Sequence, residues 1–394
     1  MINPALLPAD FDRDDFLRNY WQKKPLLIRA AGPGFRDPIE PDELAGLACE
    51  SFVESRLISS DAGQQQWQMR NGPFGDDDFS ALPPSHWSLL VQAVDQYHDG
   101  VRAMLREFDF IPSWRIDDIM ISFASDGGGV GPHFDYYDVF LIQGLGRKRW
   151  RVGGHADSNS ALIPGTDLRL LQHFETQEEW IVEPGDILYL PPNIAHYGIA
   201  LGDSLTYSIG FRAPSVAQII DDLSSEIMQD LHEDQRYVDS NPVAPRRRGE
   251  IAPVIGRQLA DLLRGELLDE NRLQHWFARY MTRPKYAGGD AEESAFCQEH
   301  LTTREVQDAL AQGEQLEANP ASRFAFAEGP EGATLYVDGQ QLPCPAAVAG
   351  WAPAICAQMT AQQWQDLFNA NTAGANLVTE LYNQGSLLFM DTTE

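Results

Sequence analysis

Basic residues are scarce in this 394-residue chain. Lys and Arg number 29 against 58 Asp and Glu, a formal net charge of −29. So acidic a surface repels nucleic-acid phosphates and anionic membranes and attracts basic partners, although charge of this size also serves solubility alone. The imbalance is even: residues 1–212 hold 17 basic and 31 acidic residues, and residues 213–394 hold 12 and 27, so neither half stands out as a binding surface. Cysteine is equally sparse. Cys49, Cys297, Cys344 and Cys356 form no C-x-x-C pair and are too few for a disulfide framework. No apolar run approaches the roughly 18 residues of a membrane span. No basic flank followed by an apolar stretch marks a secretory leader, so the chain reads as cytoplasmic, with no membrane partner. No segment recurs at a fixed period, which argues against a solenoid.

What is present is an ordinary globular composition, 43% hydrophobic and 22% charged, in a length that at roughly 150 residues per domain suits two or three domains. The patterning predicts helices over Phe11–Trp21, Asp42–Ala48 and Trp87–Tyr97, with Leu26–Ile28 as a short buried strand after Pro25. From Arg115 to Arg212 the texture becomes short strands punctuated by Gly, Pro and Asp: Asp118–Ala124, Val139–Gln143, Arg147–Val152, Trp180–Val182, Ile187–Leu190 and Leu205–Phe211. That is the signature of an all-β barrel or sandwich. After Ala213-Pro214, Val216, Ile219, Ile220, Leu223, Ile227 and Leu231 fall on one helical face, and two further helices follow through Ile255–Leu267 and Leu273–Met281. Polar stretches at Ser240–Gly249 and Arg283–Asp290 read as loops. Beyond them come a helix over Arg304–Gln312, strands Phe324–Ala327 and Thr334–Val337 with a hairpin signal at Asp338-Gly339, helices around Trp364–Phe368 and Ala373–Tyr382, and a strand Leu387–Met390. Helices with a terminal hairpin suggest a winged-helix-like end.

Seven of nine histidines (His86, His98, His155, His173, His232, His275 and His300) have no companion at ligand spacing. His133 differs. It closes the run Gly127–Pro132 and is followed by Phe134 and Asp135, and in extended backbone residues i and i+2 share a face. Asp138, at odd spacing, points the other way. A second cluster places the turn Glu183–Asp186, the strand Ile187–Leu190, Pro191-Pro192 and then His196 just past the strand end. Two histidines and a carboxylate from separate strands suit the facial triad of non-haem Fe(II) oxygenases, with positions left for co-substrate and O2. Along Arg147–Val152 the alternation sets Arg147, Arg149 and Arg151 on one face and Lys148, Trp150 and Val152 on the apolar one. A buried lysine needs an anion, either a structural acid or a ligand carboxylate.

These residues carry a resemblance. His133-x-Asp135, Lys148 fifteen residues on, and Pro184-Gly185-Asp186…His196 are similar to the JmjC branch of the cupin oxygenases. Trp21–Leu27, Trp114–Asp118, Gly127–His133, Tyr137–Phe140 and Gly210–Pro214 resemble the bacterial ribosomal oxygenases that hydroxylate an arginine of a large-subunit ribosomal protein. The resemblance implies a mainly β catalytic domain (a double-stranded β-helix, or cupin/JmjC barrel) over residues 1–212. A helical dimerisation module over 213–285 and a winged-helix-like domain over 286–394 would follow. It implies that His133, Asp135 and His196 hold Fe(II), and that Lys148 pairs with the distal carboxylate of 2-oxoglutarate. Ser122 would hydrogen-bond that co-substrate, with O2 as second co-substrate and succinate and CO2 as products. Bacterial relatives often carry arginine where Lys148 stands, so this chain keeps the charge without the bidentate fork. For a basic ribosomal protein substrate, Asp126 and Tyr137, and behind them Asp118 and Ser208, are the candidate contacts, and a homodimer is expected.

Other readings are a JmjC oxygenase acting on another protein residue or on a nucleic-acid base, and a non-catalytic metal-binding cupin. The acidity disfavours nucleic acid, and Lys148 disfavours a bare metal site. Residues 286–394 contain only Arg304 and Arg323 as basic residues, too few for a DNA reader.

Overall fold

The computed structural model describes residues 6–29, 35–61, 67–238, 247–285, 299–330 and 332–390. Cys297 and most of the two expected loops at 240–249 and 283–290 lie outside the described residues. The first part runs α1 (Arg13–Asn19), β1 (Leu26–Ile28), α2 (Pro41–Leu47), β2 (Ser55–Ser60), β3 (Trp67–Asn71), α3 (Asp76–Ser80), β4 (Trp87–Val91) and α4 (Asp99–Arg102). The strand-rich region follows as β5 (Ile116–Ala124), β6 (Val139–Gln143), β7 (Arg147–His155), β8 (Glu178–Val182), β9 (Ile187–Leu190), β10 (Ile194–Leu201) and β11 (Ser204–Phe211).

Eight strands form one sheet in the order β1-β9-β6-β11-β5-β4-β2-β3, and β10-β7-β8 form a second, smaller one. Alternation along the central strands divides their side chains between two cores. Val139, Leu141, Leu188 and Leu190 turn inward against Trp150, Val152 and Val182 of the small sheet, which closes the double-stranded β-helix. Ile119, Ile121, Phe140, Tyr189, Tyr207 and Phe211 turn outward under Phe16, Leu44 and Phe108 of the N-terminal segment. That segment is tied down by Asp138, which is fully buried on the outward side as its odd spacing from His133 requires. Asp138 accepts from the Tyr189 hydroxyl at 2.6 Å and from the Gln22 side chain at 3.1 Å, and Arg115 lies 3.4 Å away.

Two expectations are corrected. The helix expected over Trp87–Tyr97 is instead β4 followed by a short 3-10 turn, Val94–Gln96. The run Trp-Ser-Leu-Leu-Val is buried between β2 and β5, and a short apolar run of this kind fits either period. Ala93, at φ +52°, then breaks the chain direction. The second correction concerns His196, which lies within a strand and not beyond one. Pro191-Pro192 do end β9, but the chain reverses through Asn193 (φ +64°) and resumes at once as β10. Strands β2, β3 and β10 were not legible from the pattern.

Beyond the barrel, α5 (Val216–Asp230), α6 (Pro253–Leu267) and α7 (Glu270–Thr282) match the three expected helices. α5 and α7 share a small core of Leu223, Ile227 and Trp276, while Val216, Ile220 and Met228 of α5 and Leu259, Leu262 and Leu263 of α6 stay exposed. The last region comprises α8 (Thr303–Ala311), β12 (Leu316–Ala318), β13 (Phe324–Gly329), β14 (Gly332–Val337), β15 (Gln340–Pro345), α9 (Ala352–Cys356), α10 (Ala361–Ala370), α11 (Thr372–Asn383) and β16 (Leu387–Phe389). It has its own core around Val306, Leu335, Trp364 and Leu381. Asp338 and Gly339 both take positive φ between the paired Val337 and Gln340, the two-residue hairpin turn their sequence signalled.

Candidate metal and co-substrate site

His133 sits at the end of the glycine run, where a single antiparallel bridge joins it to His196 on β10. The run lies flat against that strand: a Cβ on Gly129 would come within 2.2 Å of the Gly198 carbonyl oxygen, so no side chain fits there. The bridge brings the imidazole centroids to 4.2 Å. Asp135 Oδ2 lies 4.0 Å from His133 Nε2 and 3.6 Å from His196 Nε2. Each ring is oriented by its other nitrogen: His133 Nδ1–H donates to the Gly131 carbonyl and His196 Nδ1–H to that of Ile194, both at 2.9 Å. That hydrogen bond fixes the tautomer and leaves both Nε2 lone pairs aimed at the carboxylate. Burial, reinforced by the neighbouring His133, pushes the His196 imidazolium down to about 4, so the ring is neutral at neutral pH. Two imidazoles and one carboxylate, with all three ligand atoms within 4.8 Å of one another, form the one metal-competent cluster of His, Cys, Asp and Glu among the described residues. The donor set fits a divalent first-row metal bound on one face.

Lys148 lies on β7, inside the barrel and 5% exposed, with Trp150 and Val152 beside it as the alternation demanded. Its ammonium donates to Thr206 Oγ1 at 3.2 Å and stands 5.1 Å from the Trp150 ring centroid. Among the described residues no carboxylate pairs with it. Burial alone lowers its pKa from 10.5 to about 8. The structure therefore discards the structural-acid explanation of this lysine and leaves a cation facing into the barrel. Ser122, 7% exposed, is the β5 neighbour of Thr206 in the β5–β11 register, and Gln143 Oε1 lies 3.4 Å from the Thr206 hydroxyl. Thr206 and Gln143 escaped the sequence reading. The alternation Ser204/Thr206/Ser208 along β11 was the signal that could have found Thr206.

The space beside Lys148 depends on Gly198. A Cβ there would meet Trp150 at 2.8 Å and Lys148 Cε at 2.9 Å, inside any real contact distance. Gly198→Ala should therefore push the lysine stem aside and, for the 2-oxoglutarate that the sequence resemblance implies at Lys148, raise the KM about tenfold; an unchanged KM in a succinate assay would place Lys148 away from that co-substrate.

The remaining candidates divide. Tyr137 lies in a bend two residues past Asp135 and is 42% exposed as a residue, yet its hydroxyl end is desolvated and hydrogen-bonds Asp135, and that desolvation with the nearby carboxylates raises its pKa well above the usual value. Asp118 is 6% exposed and flanks the same spot, since a Cβ on Gly210 would lie 3.8 Å from both Asp118 Oδ1 and the Tyr137 ring. Ser208 is buried on the inner face of β11, two residues from Thr206. Asp126 is not brought to the triad: its carboxylate accepts from Gly202 N–H at 2.7 Å, six residues along the chain from His196. The alternate face of β10 (Ala195, Tyr197, Ile199) lines an open cleft of about 1090 Å3 with Trp67, Arg151 and His173. Triad and cleft thus lie on opposite sides of one strand.

A barrel interior with this cluster and a buried ammonium suits a JmjC-type oxygenase, and comparison with known proteins puts the chain in that class. A JmjC domain model matches residues 103–219, a ROXA-like winged helix model residues 258–388, and an AraC-like ligand binding domain model residues 172–279. The chain belongs to the JmjC-domain 2-oxoglutarate oxygenases, in their ribosomal oxygenase branch. It is 37% identical to the ribosomal protein uL16 3-hydroxylase of Escherichia coli (strain K12), over 95% of this chain and 97% of that one. A probable ribosomal oxygenase of Haemophilus influenzae is 41% identical over 55% of this chain and 54% of its own length. Among solved structures, the X-ray structure of E. coli YcfD has a TM-score of 0.84 at 34% identity, covering 97% of this chain and 99% of that one. The YcfD complex with cobalt and 2-oxoglutarate has a TM-score of 0.81, with the same identity and coverage.

Proposed function

We propose that this chain hydroxylates an arginine side chain of a large-subunit ribosomal protein, uL16 by its similarity to the E. coli enzyme, using Fe(II), O2 and 2-oxoglutarate. One observation carries the reading: a two-histidine, one-carboxylate cluster shares its barrel interior with a buried lysine that has no acidic partner among the described residues. His133, Asp135 and His196 would hold the iron, Lys148 would pair with the distal carboxylate of 2-oxoglutarate, and Ser122 and Thr206 would add hydrogen bonds. Bound metal and co-substrate supply the oxidising power, with 2-oxoglutarate leaving as succinate and CO2. The chain's own part is position and dryness. Nδ1–H donation holds both imidazoles in register, the Tyr137 hydroxyl orients the Asp135 carboxylate, and Trp150, Val139 and Leu188 keep water out of the interior.

Asp118, Tyr137 and Ser208 would receive the substrate guanidinium, which prefers carboxylates and aromatic faces. Asp126 is committed to a turn and would act at most on approach. The overall charge favours a basic polypeptide met in the cytoplasm. We assign residues 1–212 to catalysis, 213–285 to a helical dimerisation module and 286–394 to the winged-helix-like domain. The exposed apolar faces of α5 and α6 support the dimer, and a single-chain mass by light scattering would exclude it. A DNA reader is further disfavoured because the Arg323 side chain is only 14% exposed and turns inward onto the barrel.

Incubation with recombinant uL16, iron and 2-oxoglutarate should yield a product about 16 Da heavier, in step with succinate formation. If neither appears with any large-subunit protein, the substrate assignment fails while the enzyme class stands.

A further inference from the structure

Arg323, just before β13, carries a contact from the C-terminal region to the barrel. Its guanidinium reaches back to β5, donating through Nη1 to the Ile116 carbonyl at 2.7 Å and through Nη2 to the Asp117 carbonyl. Nη2 also lies 3.3 Å from the Asp117 carboxylate. The base of this arm is fixed in its own domain. Arg323 N–H donates to Asp338 Oδ1 at 2.8 Å, and the hydroxyls of Ser322 and Ser386 donate to Asp338 Oδ2 at 2.7 Å each. Two more cations complete the junction: Arg212 Nε at 3.1 Å and Lys285 Nζ at 2.6 Å from the Asp117 carboxylate. Arg212 also holds the end of α7 through the carbonyls of Met281 and Arg283, both at 2.9 Å.

Asp117 faces this junction, and Asp118, the next residue, is 6% exposed, with its Oδ1 and the Tyr137 ring both 3.8 Å from where a Cβ on Gly210 would stand. A planar fork on two successive carbonyls fixes peptide orientation as well as position, which a single bond does not. Any rotation of the Ile116–Asp117 backbone would swing the Asp118 carboxylate directly.

We propose that Arg323 is a positioning residue for the protein substrate: the C-terminal domain sets the start of β5, and thereby the Asp118–Tyr137 pair that receives the substrate guanidinium. This rests on the substrate contacts proposed above. It makes residues 286–394 part of how the barrel selects its substrate, not an appended binding module. The arm leaves the metal triad and Lys148 untouched, since neither is among its partners. The Arg323 charge by itself works against the proposal, because it competes with a cationic substrate for Asp118. Geometry and charge therefore predict opposite signs, which makes the test decisive.

The experiment uses the full chain and uL16 protein. Arg323→Ala should raise the KM for uL16 about tenfold, with the KM for 2-oxoglutarate and the slow turnover of 2-oxoglutarate without uL16 unchanged. Arg323→Lys, which keeps the charge and can make one of the two carbonyl bonds, should fall between. A uL16 KM equal to or below that of the parent overturns the proposal, as does a parallel loss of uncoupled turnover and 2-oxoglutarate affinity, which would mean a merely structural contact. Should the alanine variant fail to fold, the lysine variant decides by the same KM comparison. Asp118→Asn separates the two layers. If it leaves the uL16 KM unchanged, the contact reading itself is at fault; if it raises KM while the Arg323 variants do not, only the coupling is wrong.

Discussion

Asp135→Asn should abolish hydroxylation, with turnover at least a thousandfold below the parent and Fe(II) affinity reduced by several orders of magnitude. The substitution keeps volume and hydrogen-bonding shape, and the Tyr137 hydroxyl still finds an oxygen. What disappears is the charge. The two histidines can offer only neutral lone pairs to a metal, and burial holds His196 neutral, so Asp135 is the one ligand of the cluster that brings a negative charge. A dication held by two neutral nitrogens and an amide loses most of its Coulomb attraction in a low-dielectric interior. Calorimetric metal titration checks affinity, and succinate release checks turnover. A variant that keeps a tenth of the activity would remove Asp135 from the ligand set, because no other carboxylate joins the two histidines in this cluster among the described residues.

The second large effect has two opposite halves. Lys148→Met should lose co-substrate binding, with the KM for 2-oxoglutarate rising at least a hundredfold, and should at the same time make the ligand-free chain more stable. The lysine is buried without an acidic partner, and its pKa falls from 10.5 to about 8, a penalty on the charged form of about 3 kcal/mol at neutral pH. Methionine fills a similar volume beside Trp150 with no charge to desolvate. The sign with pH follows from linkage. Between pH 8 and 10.5 the unfolded chain binds this proton more tightly than the folded one, so the parent gains stability as pH rises through that window and the variant does not. Affinity moves the other way, since a neutral amine attracts no carboxylate: the parent's KM for 2-oxoglutarate should climb above pH 8. Thermal melts of the ligand-free proteins should place the variant several degrees higher. A lower melting temperature would mean that the ammonium has a structural anion.

How much of this could be read from the chain alone depended on whether local pattern or long-range pairing made the feature. The period-2 alternation of Arg147–Val152 is local, and it placed Lys148 inside correctly. The i, i+2 rule likewise paired His133 with Asp135 and put Asp138 on the opposite side, where Tyr189 and Gln22 hold it. His196 was found as a residue but misplaced. A proline pair reads as an end, and nothing nearby says that Asn193 restarts a strand whose partner, β7, lies some forty residues earlier. Trp87–Val91 failed for the related reason that a short buried run has no period to display. Asp126 was judged by its proximity to His133 in sequence, whereas the fold turns it toward Gly202. The junction at Asp117 was invisible, since its three cations come from residues 212, 285 and 323.

The partnerless Lys148 has one more consequence, for how long the molecule lasts. An anion that binds only the folded barrel stabilises it by mass action, adding about 2.7 kcal/mol when present at a hundred times its dissociation constant. With 2-oxoglutarate paired to Lys148 as proposed, part of that affinity would come from relieving a buried charge, and the reagent consumed in each turnover would double as a part of the scaffold. Between turnovers, after succinate leaves and before the next co-substrate enters, the barrel is at its weakest. Starved of 2-oxoglutarate, the enzyme should then be degraded faster as well as idle, so its abundance in the cell would follow the supply of its own fuel.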